Sequence, residues 1–228
     1  MSRGIMTCHF LLFKILYLLY LLYLNFTIQG YLYLCYLYNI FYFIRHIYYK
    51  YKYINPMSFS NIAKFNNTRD YLPLLNGVLF TDLFVIFLSN VKVIDSRVLI
   101  KWYEDYNLSA ILADILIIFI GLIIVRAIYY HIFTEFSIFK FILLALLVQF
   151  VHDVLFYAFF KSVPRGTNRM LDTFKDYANE VSYKAILADG GMMIMAALVA
   201  SYLAGATLNT NIITLIILLY LMPYLLYN

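Results

Sequence analysis

The chain has 228 residues, of which 64% are hydrophobic and 13% are charged, and its mean hydropathy is +0.81. Soluble globular domains average about 45–50% apolar and about 25% charged residues. The composition therefore excludes a disordered chain, a secreted disulfide scaffold and an ordinary cytosolic enzyme, and it predicts an integral membrane protein.

The net charge is +5. The basic residues lie mostly between apolar runs, where lysine and arginine determine membrane topology. We therefore expect the lipid bilayer as a partner and no nucleic acid. The two cysteines, Cys8 and Cys35, form no CxxC motif and indicate neither a zinc site nor haem attachment.

The first 56 residues differ in composition from the rest of the chain. They hold no acidic residue, since the first one is Asp70, and they are rich in tyrosine and leucine. One interpretation places a membrane-spanning helix within residues 10–44. The other takes Met57 as the true start, because the residues that follow it resemble an ordinary polar N-terminus ahead of a first helix. Both interpretations stay open, and either one sets a domain boundary after residue 56.

Five apolar runs follow, which we expect to cross the bilayer's ~30 Å of hydrocarbon as helices. Helices are expected because the runs are continuously apolar, whereas the strands of a membrane barrel alternate. We therefore predict an all-α polytopic bundle over residues 57–228. The predicted core spans are residues 71–94, 108–130, 136–160, 185–204 and 212–227.

The connections between these runs are short, apart from residues 161–184. In this loop apolar residues recur at helical spacing from Met170 to Val181, with charged residues between them. The pattern predicts an amphipathic helix with Thr167 or Asn168 as its N-cap. We expect this helix to lie at the membrane interface, with docking of a partner as the alternative. Residues 92–107 are interpreted only as a polar connection.

Five spans divide the connections between two sides of the membrane. Side A holds residues 58–70 and 131–135, and side B holds residues 92–107, 161–184 and the C-terminus. Lysine and arginine are divided almost evenly between the two sides in the full chain, so the positive-inside rule does not orient it. If Met57 is the start, side B carries the excess and is predicted to face the cytoplasm.

A short sequence repeat occurs within the first four spans, and we call its copies echoes. The string AILAD occurs at residues 110–114 and again at 185–189, and each copy begins a span. Looser echoes, LFTD at 79–82 and FVHD at 150–153, give each of these spans one aspartate. The echoes suggest an internal duplication, with chance repetition in an apolar chain as the alternative.

Several polar residues lie inside the predicted spans, three aspartates in the side-B half and Asp82 nearer the middle. An aspartate at the bilayer centre costs about 2.5–3.5 kcal/mol, so each should be neutral, paired or beside a polar cavity. One hypothesis is a proton or cation site, and the other is a set of hydrogen bonds that fixes the bundle. The candidate residues are Asp82, Asp114, Gln149, His152, Asp153 and Asp189.

A stripe of small residues follows Asp189 on the same helix face. Ala196, Ala200 and Ala204 recur at four-residue spacing, which allows close contact between helices. We therefore expect Asp189 to face neighbouring helices rather than lipid. The same alanine face is predicted to support self-association.

The sequence contains none of the common catalytic motifs. GxSxG, HExxH, GxGxxG and the Walker A string are absent. Only His152 lies deep in a span, so paired haem ligands are not expected. We predict that the protein is not an enzyme, and that it has no catalytic residue, no metal and no cofactor.

The strings NLSAILAD, FVHDVLFYAFF, VPRGTNRMLDTFKDYANE and KAILADGGMMIMAALVASYL occur between residues 107 and 204. This block resembles uncharacterised multi-span membrane proteins of giant, nucleocytoplasmic large DNA viruses. The resemblance implies a place in a virion membrane or in a host membrane that the virus modifies. A structural or scaffolding role is expected there, and a small cation or proton channel or transporter that uses the aspartates is the alternative.

Overall fold

The computed structural model describes residues 59–227 of the chain. A short 3-10 turn at Thr68–Asp70 precedes seven α-helices in this part of the protein. The helices are α1 (Tyr71–Asn90), α2 (Arg97–Tyr106), α3 (Leu108–Ile132), α4 (Ile138–Ser162), α5 (Arg169–Val181), α6 (Lys184–Ala204) and α7 (Leu208–Leu226). The tyrosine-rich leader lies outside the described residues, so both of its interpretations stay predictions.

Five of these helices, α1, α3, α4, α6 and α7, are long and apolar enough to cross a membrane. Their ends lie within four residues of the ends that the apolar runs predicted. The predicted all-α bundle with five core spans is thereby confirmed. The chain is an integral, multi-pass membrane protein.

Helix α1 is the central helix of the bundle. Of its most apolar stretch of 18 residues, 61% is buried inside the protein, against 39% for the same stretch of α3 and 11% for that of α7. It packs most extensively against α6 and also contacts α3 and α7. The outer faces of α4 and α7 present large apolar side chains, among them Leu147, Leu155, Ile213 and Ile216, as expected for contact with lipid.

The closest helix contact joins α1 to the alanine stripe of α6. A Cβ added to Gly77 would lie 2.6 Å from the carbonyl oxygen of Ala196 and 2.8 Å from the backbone nitrogen of Ala200. Ala196 and Ala200 are fully buried. Helix α1 of the same chain thus covers Ala196 and Ala200, because a glycine opposes these alanines. Self-association through the face of Ala196, Ala200 and Ala204 stays a prediction.

The residues ahead of α1 are inserted between helices rather than lying free on side A. Ser60 donates its backbone N–H to the carbonyl of Ser201 at 3.1 Å. In return the hydroxyl of Ser201 donates to the carbonyl of Ser60 at 2.6 Å. The next side chains, Ile62 and Ala63, are fully buried. This segment therefore forms part of the bundle.

A buried amide pair ties α1 to the first turn of α7 and to the end of α6. The Asn76 side chain donates to the carbonyl oxygen of Asn211 at 2.9 Å. The Asn211 amide in turn donates to the carbonyl of Leu203 at 2.9 Å and to that of Thr207 at 3.1 Å. These bonds hold the first turn of α7 against the end of α6 and against α1.

Residues 92–107, which were predicted only as a polar connection, contain a helix. Helix α2 begins after Ser96, whose hydroxyl accepts a hydrogen bond from the backbone of Leu99 at 3.1 Å. Its Trp102 and Tyr103 side chains are buried. The prediction of one interfacial amphipathic helix is corrected to two, because the apolar residues of this stretch also recur at helical spacing.

The predicted amphipathic helix is confirmed as α5. Asn168 is its N-cap, accepting from Met170 and Leu171 at 2.9 and 3.1 Å, and Thr167 is not. Helices α2 and α5 pack against each other on side B. We call them the surface helix pair.

Hydrogen bonds and ring contacts hold the surface helix pair together. The Glu180 carboxylate accepts from the hydroxyl of Ser96 at 2.6 Å and from the backbone of Val98 at 3.2 Å. The rings of Trp102 and Phe174 lie 4.8 Å apart. Glu180 of α5 thus satisfies the first turn of α2, where helix N–H groups lack internal partners.

The two AILAD strings occupy equivalent places in the structure. Each follows an amphipathic helix that ends at a residue with positive φ: Asn107 (φ 47°, ψ −124°) after α2 and Ser182 (φ 54°, ψ −132°) after α5. In both cases the string begins three residues later. The order of span, amphipathic helix and span thus occurs twice, as α1–α2–α3 and as α4–α5–α6, and both copies run from side A to side B and back. This arrangement is a parallel structural repeat, which favours duplication over chance.

Candidate functional site

The first repeat brings two aspartates of neighbouring spans to one phenol. The Tyr103 hydroxyl lies 3.2 Å from Asp114 Oδ2 and 3.5 Å from Asp82 Oδ1. Trp102 donates its indole N–H to Asp114 Oδ2 at 3.0 Å. Burial, followed by the charges of Asp114 and Asp82, raises the pKa of Tyr103 well above its usual value. The phenol therefore stays protonated and shares one proton between two carboxyl groups.

The second repeat places Tyr177 of α5 where the first places Trp102 of α2. Both residues lie five positions before the positive-φ residue that ends their helix. Burial, followed by the charges of Asp189, Asp114 and Glu180, raises the pKa of Tyr177 to about 12. Each amphipathic helix thus directs an aromatic hydrogen-bond donor towards the aspartates of the spans.

The remaining aspartate of the second repeat is bound by its own helix. Gln149 donates to Asp153 Oδ1 at 2.6 Å, and His152 Nδ1 lies 3.2 Å from the same oxygen. The predicted polar stripe on α4 is therefore a local hydrogen-bonded cluster. The other oxygen of Asp153 is buried and has no hydrogen-bond partner among the described residues.

Asp189 connects the two repeats electrostatically. Its half-buried carboxyl group lies within range of the charges of Asp153 and Asp114. All four aspartates lie about 8–14 Å from the side-B ends of their helices, at about 1.5 Å per residue. Asp82 is thus no deeper than Asp153, although the sequence suggested a place nearer the middle. The hypothesis that the aspartates share one half of the bilayer agrees with this geometry.

No lysine or arginine forms an ion pair with these four aspartates anywhere in residues 59–227. Asp82 is fully buried, and its Oδ2 atom has no hydrogen-bond partner in the part of the chain that the structure describes. A carboxylate in such a place is stable only if a proton or a cation neutralises it. In the same part of the chain no group of three or more His, Cys, Asp and Glu side chains is arranged to hold a metal ion.

The sequence reading identified the acidic members of this cluster and missed its aromatic ones. The aromatic members are Trp102, Tyr103 and Tyr177, which belong to helices outside the spans. The site was predicted from polar residues within the apolar runs, so these three residues were not included. The helical spacing of apolar residues around Trp102 was the pattern that indicated this helix, although not its contact with Asp114. Arg126 lies near the side-A end of its span, where a basic side chain is expected to extend to the headgroups, yet its side chain is fully buried.

No protein-family model matches this chain, and neither a curated protein nor a solved structure matches it.

Proposed function

We propose that this membrane protein binds and translocates protons or small monovalent cations through the aspartate cluster, which ions enter from side B. The observation that carries the proposal is the pair of acidic sites, one in each structural repeat, that lack a lysine or arginine partner among the described residues. Parallel repeats with a site at their interface are a common design of secondary transporters. We assign no enzymatic reaction to these residues.

Flux in reconstituted liposomes tests the proposal. The protein is placed in vesicles that contain a pH-sensitive dye, and a potassium gradient with valinomycin drives protons or another cation across the membrane. We expect flux in the wild-type protein and at least a threefold lower rate in Asp189→Asn, which keeps the size of the side chain and removes its charge. Asp95→Asn is the matched control because Asp95 is an exposed side-B aspartate outside the spans. It should leave the rate unchanged.

Infrared spectroscopy separates binding from transport. Protonated carboxyl groups absorb apart from carboxylates, so a pH titration of the reconstituted protein reports whether the cluster holds a proton. Loss of part of this band in Asp189→Asn supports proton binding. Absence of both flux and titratable band in a folded wild-type protein would refute the proposal.

A structural role is the second candidate, and the hydrogen bonds from Trp102 and Tyr103 to Asp114 favour it. In this role the aspartates act as fixed acceptors that hold the surface helix pair against the spans. The setting that we propose for such a scaffold is a viral or virus-modified membrane, on the strength of sequence resemblance alone. This candidate predicts no flux in any variant.

Hydrogen exchange tests the structural role directly. Tyr103→Phe should increase exchange throughout α2, because only the shared hydroxyl is lost. Tyr106→Phe is the matched control, since the Tyr106 hydroxyl contacts Thr173 of α5 at 3.0 Å and no span. Equal protection of α2 in the wild type and in Tyr103→Phe would contradict the structural role.

A further inference from the structure

Arg126 is a fully buried arginine near the side-A end of α3. Its Nη2 atom donates to the carbonyl of Lys64 at 2.5 Å and to that of Asn67 at 2.9 Å. The Oδ2 atom of Asp70 lies 3.6 Å from the same nitrogen. The guanidinium carbon lies 4.6 Å from the centre of the Tyr71 ring. All hydrogen bonds from this guanidinium to the described residues therefore use one of its three nitrogens.

The other two nitrogens of Arg126, Nε and Nη1, are buried and have no hydrogen-bond partner among residues 59–227. Together they carry three of the five N–H groups of the side chain. A buried donor without an acceptor costs about 1–3 kcal/mol, and a charged one costs more. The arrangement is therefore incomplete as it stands and lacks an acceptor with several oxygens.

A surface depression of about 600 Å³ adjoins Arg126 at this end of the bundle. None of the side chains that line it is acidic, and two of them besides Arg126, Lys64 and His131, can carry a positive charge. Asp70 neutralises one charge nearby, and Lys64 restores a positive balance. The depression is electrostatically suited to an anion.

The place of the depression relative to the bilayer indicates the class of anion. Arg126 lies six residues before the end of α3, which corresponds to about 9 Å along the helix. Phe65 and Tyr130 also line the depression, and their side chains are 45% and 42% exposed. Exposed aromatic rings beside basic residues are typical of the level of lipid headgroups.

We propose that this depression binds a phosphate group, presented by an anionic lipid headgroup or by free phosphate. Arginine is suited to phosphate because its planar group donates several hydrogen bonds in fixed directions. Arg126 supplies these donors, and the Lys64 ammonium supplies a second positive charge at the rim. The exposed rings of Phe65 and Tyr130 lie where the glycerol and upper acyl chain of a lipid would pass.

The test measures the melting temperature of the full-length protein in neutral detergent during titration with a probe. One arm uses short-chain phosphatidylglycerol, one uses inorganic phosphate, and a third uses short-chain phosphatidylcholine at the same concentrations. A ligand that binds only the folded protein raises the melting temperature in a saturable way. We expect saturable stabilisation by phosphatidylglycerol or phosphate and less by phosphatidylcholine. The arm that saturates at the lower concentration identifies the source of the phosphate group.

Lys64→Gln is the informative variant because Arg126 contacts the backbone carbonyl of Lys64, which the substitution keeps. It should weaken the apparent affinity at least threefold. Lys140→Gln removes an equivalent charge from an exposed lysine that follows the side-A connection at residues 131–135. It should leave the apparent affinity unchanged. Arg126→Gln should abolish the effect if it folds. Absence of saturable stabilisation in the wild type, or equal effects of Lys64→Gln and Lys140→Gln, would overturn the proposal.

Discussion

Replacement of Gly77 by alanine should separate the two most closely packed helices of the bundle. The new Cβ would lie 2.6 Å from the Ala196 oxygen, whereas ordinary contacts begin at 3.4 Å. The helices must therefore move apart by about 0.8 Å at this point, because the opposing atoms belong to the backbone and cannot rotate away.

The size of the effect follows from two opposing contributions. Overpacking costs about 1–3 kcal/mol, and the rigid backbone contact places Gly77→Ala near the upper end. Alanine is the better helix former and returns about 1 kcal/mol. We expect a net loss of about 2 kcal/mol in the free energy of unfolding.

Two further glycines of the spans provide matched controls. A Cβ on Gly191 would meet nothing within 4 Å, so Gly191→Ala should stabilise the protein by up to about 1 kcal/mol. A Cβ on Gly121 would meet only the flexible end of Met193, at 2.9 Å, so Gly121→Ala should fall between the other two.

The assay is equilibrium unfolding in mixed micelles of neutral detergent and dodecyl sulfate. Fluorescence of Trp102, which is the single tryptophan of the chain, and circular dichroism report the transition. Equal stability of Gly77→Ala and the wild type would refute the packing argument. So would an equal loss in Gly191→Ala, because that loss would be unrelated to the contact with α6.

Three other predictions concern pH, topology and the buried amides. The pKa of Tyr177 is raised from 10.0 to about 12 in the folded protein. The protonated phenol therefore contributes up to about 3 kcal/mol to stability, which is complete below about pH 10 and is lost as the pH rises towards 12. Between about pH 9.5 and 11.5 the melting temperature should therefore fall less in Tyr177→Phe than in the wild type. An identical fall in the two proteins would contradict this. In a background without the native cysteines, Glu104→Cys and Ser162→Cys should react with a membrane-impermeant reagent from one side and Thr134→Cys from the other; labelling of all three from one side would exclude the five-span topology. Asn211→Ala should lower the unfolding free energy by about 1–3 kcal/mol, since it removes the donor to the end of α6, and an unchanged midpoint in the dodecyl sulfate titration would contradict that role.

The spans were predictable because a membrane imposes one dominant requirement on them. A continuous apolar run of about 20 residues has few structures other than a helix that satisfy its backbone in lipid. The predicted runs at residues 108–130 and 185–204 accordingly match α3 and α6 to within two residues. The same reasoning gives no information about which helices touch, because lipid and protein interiors are equally apolar.

The candidate site was predictable only in part, for a related reason. Aspartates within apolar runs are conspicuous because they are costly there, so Asp82, Asp114, Asp153 and Asp189 could be identified from sequence. Their donors Trp102 and Tyr103 are ordinary residues of a polar connection in sequence terms. They reach Asp114 only because α2 folds back over the spans, which is a tertiary event.

Arg126 illustrates a second limit of the sequence reading. A basic residue near the end of a span normally extends to the headgroups, and the position of Arg126 fits that pattern. Its burial depends on the segment before α1, which covers the guanidinium with the carbonyls of Lys64 and Asn67. No pattern within α3 itself contains that information.

The paired hydrogen bonds between Ser60 and Ser201 have a consequence for biosynthesis. The two residues are 141 positions apart, so the ribosome must complete α6 before the contact between Ser60 and Ser201 can form. Until then α1 enters the membrane with Gly77 and Asn76 facing lipid or the insertion machinery instead of their later partners. A nascent chain that stops after α4 therefore exposes unsatisfied polar groups within the membrane. The bundle therefore closes only after α6 and α7 have been made.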